Sequence, residues 1–246
     1  MKLLVFGATG GTGRELVKQA LDADHFVSAY VRDPAKVKDL QHERLSFESG
    51  DVLDSATVRT AVAGQDAVLS TIGAGASPTT LREEGTRNVV EAMEQTGVKR
   101  FVSLSSLGVG DSRSNLAFFT RYIVVAIFLR HAFADHERQE AVVKQSSLDW
   151  TIVRPPHLKD GPRTGVYRDG FSTRDRRIKG WISRADVADF MLSQLDDDRY
   201  LRKTPGVSYQ GRGVHDRPGT SSRGRGWWCV DRPTLIDKNV WSTTSE

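Results

Sequence analysis

Cysteine is almost missing from this sequence: Cys229 stands alone among 246 residues. A single thiol excludes an intramolecular disulfide and any cysteine-based zinc site. Long apolar runs are missing too, since the longest, Tyr122 to Leu129, is far short of the roughly 18 residues a membrane span requires. No leader-like segment precedes the first strand-like run, so the expectation is a cytoplasmic protein without a transmembrane segment. Charge is not strongly of one sign, with 35 Lys and Arg against 31 Asp and Glu and a net charge of +4. Although the pI is near 9.3, the basic residues are spread out and mixed with acids. That pattern reads as a solvated surface, and no nucleic-acid partner is expected. Aliphatic residues nearly vanish from Gly211 to Trp227. The Gly/Arg/Ser tail over 210–246 cannot bury enough apolar surface to offset its ordering entropy, so disorder or loose packing is expected there. Its Arg-Gly pairs beside Trp227 and Trp228 would suit single-stranded nucleic acid. An appendage irrelevant to the chemistry is the preferred reading.

What is present is an alternation of strand and helix signals from the first residues onward, the pattern of a parallel sheet covered on both faces. The length suits one sizeable α/β domain. It begins with Leu3 to Phe6, a short buried-strand run, followed by Gly7-Ala8-Thr9-Gly10-Gly11-Thr12-Gly13. Leu16, Val17, Ala20 and Leu21 then recur at helical spacing. Glycines on a strand-to-helix turn let the backbone approach a phosphate, and the helix N-terminus points free N–H groups at it. This context makes the turn a candidate pyrophosphate site in a Rossmann-type doubly wound sheet, with Gly7, Thr9, Gly10, Gly11, Thr12 and Gly13 as its contacts.

Further strands are expected at Phe26–Val31, Leu45–Phe47, Ala67–Thr71, Phe101–Leu104 and Trp150–Val153. The helices between them are expected to start near Pro34, at Ser55, at Pro78 and on the way to Val143, with a last one over Arg184–Leu195. Residues 158–180 show no periodicity and read as an irregular excursion over the open edge of the sheet, on the substrate side. Val207-Ser208-Tyr209 reads as a final strand, which places the dinucleotide-binding domain at 1–209. Ligands in such sheets sit at the carboxyl ends of the strands. Strand two ends in Arg32-Asp33. An acid there accepts the ribose hydroxyls of NAD, whereas an arginine pairs with the 2′-phosphate of NADP. Because Asp33 also precedes Pro34 as a helix cap, Arg32 favours NADP (NADPH) over NAD. Asp51 and Val52 are expected beside the adenine, Thr71 and Gly73 beside the ribose and pyrophosphate, and Ser105 and Ser106 toward the nicotinamide. Each of these is equally readable as a polar turn residue.

Several motifs fall in the order found in one family: the glycine turn, Val31-Arg32-Asp33, Gly50-Asp51-Val52-Leu53, Ala63-Gly64-Gln65-Asp66, Ser77-Pro78-Thr79-Thr80 and Pro155-Pro156-His157. The chain resembles the atypical short-chain dehydrogenases/reductases of the NAD(P)H-binding, NmrA-like group, close to biliverdin reductase B and NADPH-dependent flavin reductase. The likeness runs from Met1 to about Tyr209, and the G-x-x-G-x-x-G spacing is the one this group uses. It implies NADP preference through Arg32. It also matches Ser106 to the family's active-site serine, His157 to the histidine after the double proline, and Asp135-His136 to an Asp-His pair. For His136 a structural role is the preferred reading.

None of the five tyrosines has a lysine four residues on; Tyr122 is followed there by Ala126. The Tyr-x-x-x-Lys route to a carbonyl oxygen is therefore unlikely chemistry for this chain. Hydride transfer to a planar acceptor such as a flavin, quinone or biliverdin-like tetrapyrrole needs less acid catalysis and more positioning. Ser106 and His157 are the candidate catalytic residues, with a turn-capping histidine as the alternative for the second. A non-enzymatic, NAD(P)-binding redox sensor of the NmrA type is the alternative function. The apolar stretch 116–133 reads as a buried helix, a pocket wall, or a face for a second subunit or a membrane. A monomer or weak homo-oligomer is expected, and no metal site.

Overall fold

The computed structural model describes residues 1–73, 79–115, 130–171, 175 and 177–211. Six parallel strands form the sheet: Lys2–Phe6 (β1), Phe26–Val31 (β2), Leu45–Ser49 (β3), Ala67–Ser70 (β4), Arg100–Leu104 (β5) and Asp149–Val153 (β6). Their order across the sheet is β3-β2-β1-β4-β5-β6. The helices are Gly11–Asp22 (α1), Ser55–Val62 (α2), Leu81–Thr96 (α3), Arg130–Gln145 (α4) and Arg184–Ser193 (α5). This is a Rossmann-type α/β fold, and β1 lies where the strand order reverses.

Side-chain alternation along β1 assigns the helices to the two faces of the sheet. Leu3 and Val5 join a core with Leu16, Val17 and Ala20 of α1 and with Val187, Phe190 and Met191 of α5. Leu4 and Phe6 join the opposite core with Val58 and Val62 of α2, Val89 and Met93 of α3, and Val143 of α4. A strand buried on both faces must be apolar at every position, which is why these strands read as continuous runs. The edge strand β3 is covered less well, and its Phe47 is exposed.

Local chemistry sets the element ends. Asp33 caps a short 3-10 helix at Pro34–Val37, its Oδ1 accepting from Ala35 N at 3.0 Å. Asp54 caps α2 in the same way. Gly64 and Gly97 follow α2 and α3 in the left-handed region at φ +77° and +80°. α3 runs from Leu81; Pro78, where its start was expected, lies outside the described residues. Thr79 Oγ1 accepts from Leu81 N at 3.1 Å. Buried Asp135 of α4 accepts from Arg82 N at 3.3 Å and from Glu83 N at 3.2 Å. The cap thus comes from a distant helix, which local sequence does not reveal.

The described residues within 158–180 are more ordered than the irregular excursion expected of this stretch. His157–Lys159 (β7) pairs in parallel with Trp181–Ser183 (β9), and Arg168–Asp169 (β8) pairs antiparallel with Val207–Ser208 (β10). Such short strands paired over long sequence separations leave no periodic signal. The free edge of β6 is bonded by the segment leading into β10: Ile152 N donates to Lys203 O at 3.1 Å and Arg154 N to Pro205 O at 2.9 Å. The last described contact joins Gly211 N to Arg177 O at 2.8 Å. Most of the 210–246 tail, and the stretch 116–129, lie outside the described residues. Of the apolar run, Ala132 and Phe133 are buried in α4.

Candidate functional site

A cleft opens at the carboxyl ends of β1 to β4. Phe6, Gly7, Thr9 and Gly10 line it from β1 and the following turn, and Tyr30, Val31 and Arg32 from β2. Gly50 and Val52 follow β3, Thr71, Ile72 and Gly73 follow β4, and Leu81 opens α3. The turn is tight because Gly10 N donates to Gly7 O at 2.9 Å and the helix starts at once. Gly7 has φ +76°, and a Cβ there would stand 2.5 Å from Thr71 O. A Cβ on Gly13 would stand 2.1 Å from Gly7 O. Both positions require glycine for backbone approach, and Gly7 also for its left-handed turn. Thr71 closes the junction, its Oγ1 donating to Phe6 O at 3.0 Å.

At the far side, Tyr30 donates its hydroxyl to Asp51 O at 3.0 Å and lies 2.9 Å from Thr57 Oγ1. Burial leads in raising the Tyr30 pKa, so the phenol stays protonated. Asp51 itself is exposed and does not line the cleft; its Oδ1 accepts from Leu53 N at 3.0 Å. Arg32 is exposed at the cleft mouth and makes no ion pair among the described residues. Its neighbour Asp33 spends its carboxylate on the cap described above.

The loops after β5 and β6 touch each other, Leu107 N donating to Pro155 O at 2.8 Å. Ser106 and His157 are thus carried on adjoining segments, outside the lining of the glycine cleft. Ser106 is half-buried, with only a long 3.3 Å contact from its Oγ to Leu107 O among the described residues. His157 is exposed, and its ring makes no hydrogen bond among the described residues. Ser105 turns the other way: it is buried and donates to Glu140 Oε1 at 2.7 Å. Glu140 takes a two-point contact from Arg154, Nε to Oε1 at 2.8 Å and Nη2 to Oε2 at 2.6 Å. Arg154 Nη1 reaches on to Asp111 Oδ1 at 2.6 Å. Burial pushes the Glu140 pKa up, but the bonds and charge from Arg154, with Lys144 and Ser105, outweigh it and hold the carboxyl low. Arg154, Glu140 and Asp111 were not among the residues singled out from the sequence, because their pairing joins three separate segments.

The Asp-His pair on α4 divides into two structural tasks. Asp135 is fully buried, caps α3 and accepts from Arg82 Nη1 at 3.2 Å. His136 Nδ1 lies 3.0 Å from Gln139 Oε1. Burial first, and the charge of Arg82 second, lower its pKa to about 4.

Residues 7–198 match the model of the family described as NAD(P)H-binding. The chain belongs to that NAD(P)H-binding family. Within it, the chain is 32% identical over 203 residues to an uncharacterized chloroplastic protein of Arabidopsis thaliana, covering 79% of this chain and 71% of that one. It is 30% identical over 205 residues to YhfK of Bacillus subtilis, described as an uncharacterized sugar epimerase, covering 80% and 89%. Two solved structures share the fold with a TM-score of 0.70. ChuY, an anaerobillin reductase from Escherichia coli O157:H7, is 24% identical, with 89% of this chain and 100% of that one covered. A short-chain dehydrogenase/reductase from Veillonella parvula in complex with NADP is 19% identical, with 84% and 94% covered. The expected likeness to NAD(P)H-binding proteins is thereby borne out, and the likeness in fold extends to a short-chain dehydrogenase/reductase.

The geometry fits what the NAD(P)H-binding family holds. Gly10 provides no side-chain cap for α1, and no acid stands in the first turn. The positive helix end therefore meets neither a side-chain cap nor an acid of its own first turn, which suits a phosphate. Gly73 faces open space, with nothing within 4 Å of a Cβ placed on it. Of the residues expected to contact the cofactor, Gly7, Thr9, Gly10, Arg32, Val52, Thr71 and Gly73 line the cleft, while Gly11, Thr12, Gly13, Asp51 and Ser105 do not. Ile72, between Thr71 and Gly73, lines it as well, and Phe6, Tyr30, Val31, Gly50 and Leu81 line it without having been expected as cofactor contacts. For all but Leu81, which opens α3, their place at strand ends was the available signal. Among the described residues no helix is long and apolar enough to cross a membrane, and no acidic, His or Cys cluster suits a metal.

Proposed function

We propose that this chain is an NADPH-dependent reductase of a planar acceptor of the flavin, quinone or biliverdin-like kind. The observation that carries the cofactor half of this reading is Arg32. It stands at the end of β2 on the rim of the glycine cleft, without an ion-pair partner among the described residues, while Asp33 is occupied as a cap. A guanidinium so placed pairs with a 2′-phosphate, and a carboxylate engaged elsewhere is less available to ribose hydroxyls. Bound NADPH supplies a hydride. The glycine turn, Thr71 and Gly73 hold the pyrophosphate and ribose, and Val52 borders the adenine side.

The acceptor half rests on the loops after β5 and β6. Ser106 has a hydroxyl only weakly engaged, able to orient the nicotinamide or to bond the acceptor. The exposed ring of His157 is free to place the acceptor or pass it a proton from water. Glu140 and Arg154 give the Ser106 loop a rigid base. Lack of a Tyr-x-x-x-Lys pair favours an acceptor whose reduced form protonates readily. The likeness in fold to ChuY, an anaerobillin reductase, supports this reading.

The test is NADPH oxidation with FMN, a quinone and biliverdin as acceptors. Turnover with at least one, reduced by Ser106→Ala or His157→Ala, is the expected result. Tight NADPH binding without turnover of any acceptor would replace the reductase with a redox-sensing regulator of the NmrA type.

A further inference from the structure

Arg184, the first residue of α5, lies directly against the glycine turn. A Cβ built on Gly11 would stand 2.6 Å from Arg184 Cδ and 2.8 Å from its Nε. The guanidinium is thus packed on the first residue of α1. Two contacts order the start of α5, which carries it. Ser183 caps α5, its Oγ accepting from Asp186 N at 3.0 Å. Gln19 Nε2 donates to Ala185 O at 2.9 Å and ties α1 to α5.

The partner of this arginine is weakly committed. Arg184 Nη1 lies 2.6 Å from Asp160 Oδ1, and the Asp160 side chain is 94% exposed. An ion pair with so exposed a member contributes little. The loop carrying Asp160 is nonetheless tethered near α5, because Asp186 accepts from Thr164 N at 2.7 Å and from Gly165 N at 2.9 Å. A carboxylate therefore occupies one face of a guanidinium that borders a helix end with no acid in its own first turn.

We propose that Arg184 is a second cationic contact for the bound dinucleotide, meeting its pyrophosphate at the start of α1, and that Asp160 holds the guanidinium until the phosphate displaces it. This rests on the reading of the glycine cleft as the dinucleotide site. A pyrophosphate offers more charge and more acceptor oxygens to the planar fork of an arginine than one exposed carboxylate does. The role differs from that of Arg32. Arg32 reads the 2′-phosphate and separates NADPH from NADH, whereas the pyrophosphate is common to both.

The experiment is titration of the full-length chain with NADPH and NADH, followed by calorimetry, for the wild type and Arg184→Ala, Arg184→Lys and Asp160→Asn. Arg184→Ala should weaken both dinucleotides alike, by about tenfold. Arg184→Lys should recover part of that loss, and Asp160→Asn should tighten both about two- to threefold because the competitor is gone. Asp160 is exposed, so that variant reports even where Arg184→Ala lowers stability. Unchanged affinity in Arg184→Ala, or a loss confined to NADPH, would overturn the pyrophosphate contact. Unchanged or weaker binding in Asp160→Asn would overturn the competing role. A wild type that binds neither dinucleotide would instead bring down the reading of the cleft, and this assignment with it.

Discussion

Arg32 and Asp33 stand side by side at the end of β2, yet their surroundings give them different work. Asp33 is bonded to Ala35 N, and Arg32 faces the cleft mouth. Replacing Arg32 by Ala should weaken NADPH ten- to a hundredfold, the range for a charge-assisted phosphate contact, and NADH by less than about twofold. Competitive binding of the two cofactors checks this, and equal losses would remove the 2′-phosphate role. His136 allows a second residue-scale prediction. Its pKa is lowered from 6.5 to about 4 by burial and by Arg82, so the folded protein favours the neutral ring. The unfolded chain binds a proton between those values and the folded one does not. Stability is therefore full above about pH 6.5 and falls as the pH drops toward 4, by about 2 kcal/mol for this partly buried group. Urea midpoints measured from pH 7 to pH 4.5 should fall less in His136→Asn than in the parent. Parallel slopes would show that His136 titrates normally.

The elements depend on a few close approaches. The entry to α1 has no room for a side chain at Gly13, where a Cβ would lie 2.1 Å from Gly7 O. Alanine usually improves a helix by about 1 kcal/mol over glycine. Gly13→Ala should nevertheless destabilise the protein by several kcal/mol and abolish dinucleotide binding, because backbone cannot yield as a flexible side chain does. Thermal melting together with a binding titration separates the two effects. α3 depends instead on Asp135, which caps its N-terminus and pairs with buried Arg82 across two helices. Loss of an ordinary cap costs about 1 kcal/mol, whereas breaking a buried ion pair costs about 3 to 5 kcal/mol. Asp135→Ala should fall in the upper range by denaturant unfolding, and a loss near 1 kcal/mol would mean that the ion pair contributes little.

At the scale of the whole molecule, the sheet order places four strand ends around one cleft, and the segment after α5 returns to bond the β6 edge before pairing with β8. Because these contacts run through Gly211, a chain ending there should keep its melting temperature and NADPH affinity. Loss of either on truncation would assign the tail a structural part. Much of the sheet was legible in advance: β1, β2 and β5 are buried on both faces, so their apolar runs are strong local signals, and Gly7, Gly10 and Arg32 announce the cleft by standing at strand ends. The start of α3, the strands β7 and β8, the Ser105–Glu140–Arg154 network and the packing of Arg184 on Gly11 were not legible. Each is made by residues far apart in the chain. The sequence by itself determined the strand and helix alternation, the glycine turn and the class of cofactor it suits, because these follow from side-chain periodicity and backbone sterics within a few neighbouring residues. Tertiary structure alone decided which polar side chains are consumed by partners and which remain at the cleft, because that choice depends on contacts no local pattern encodes.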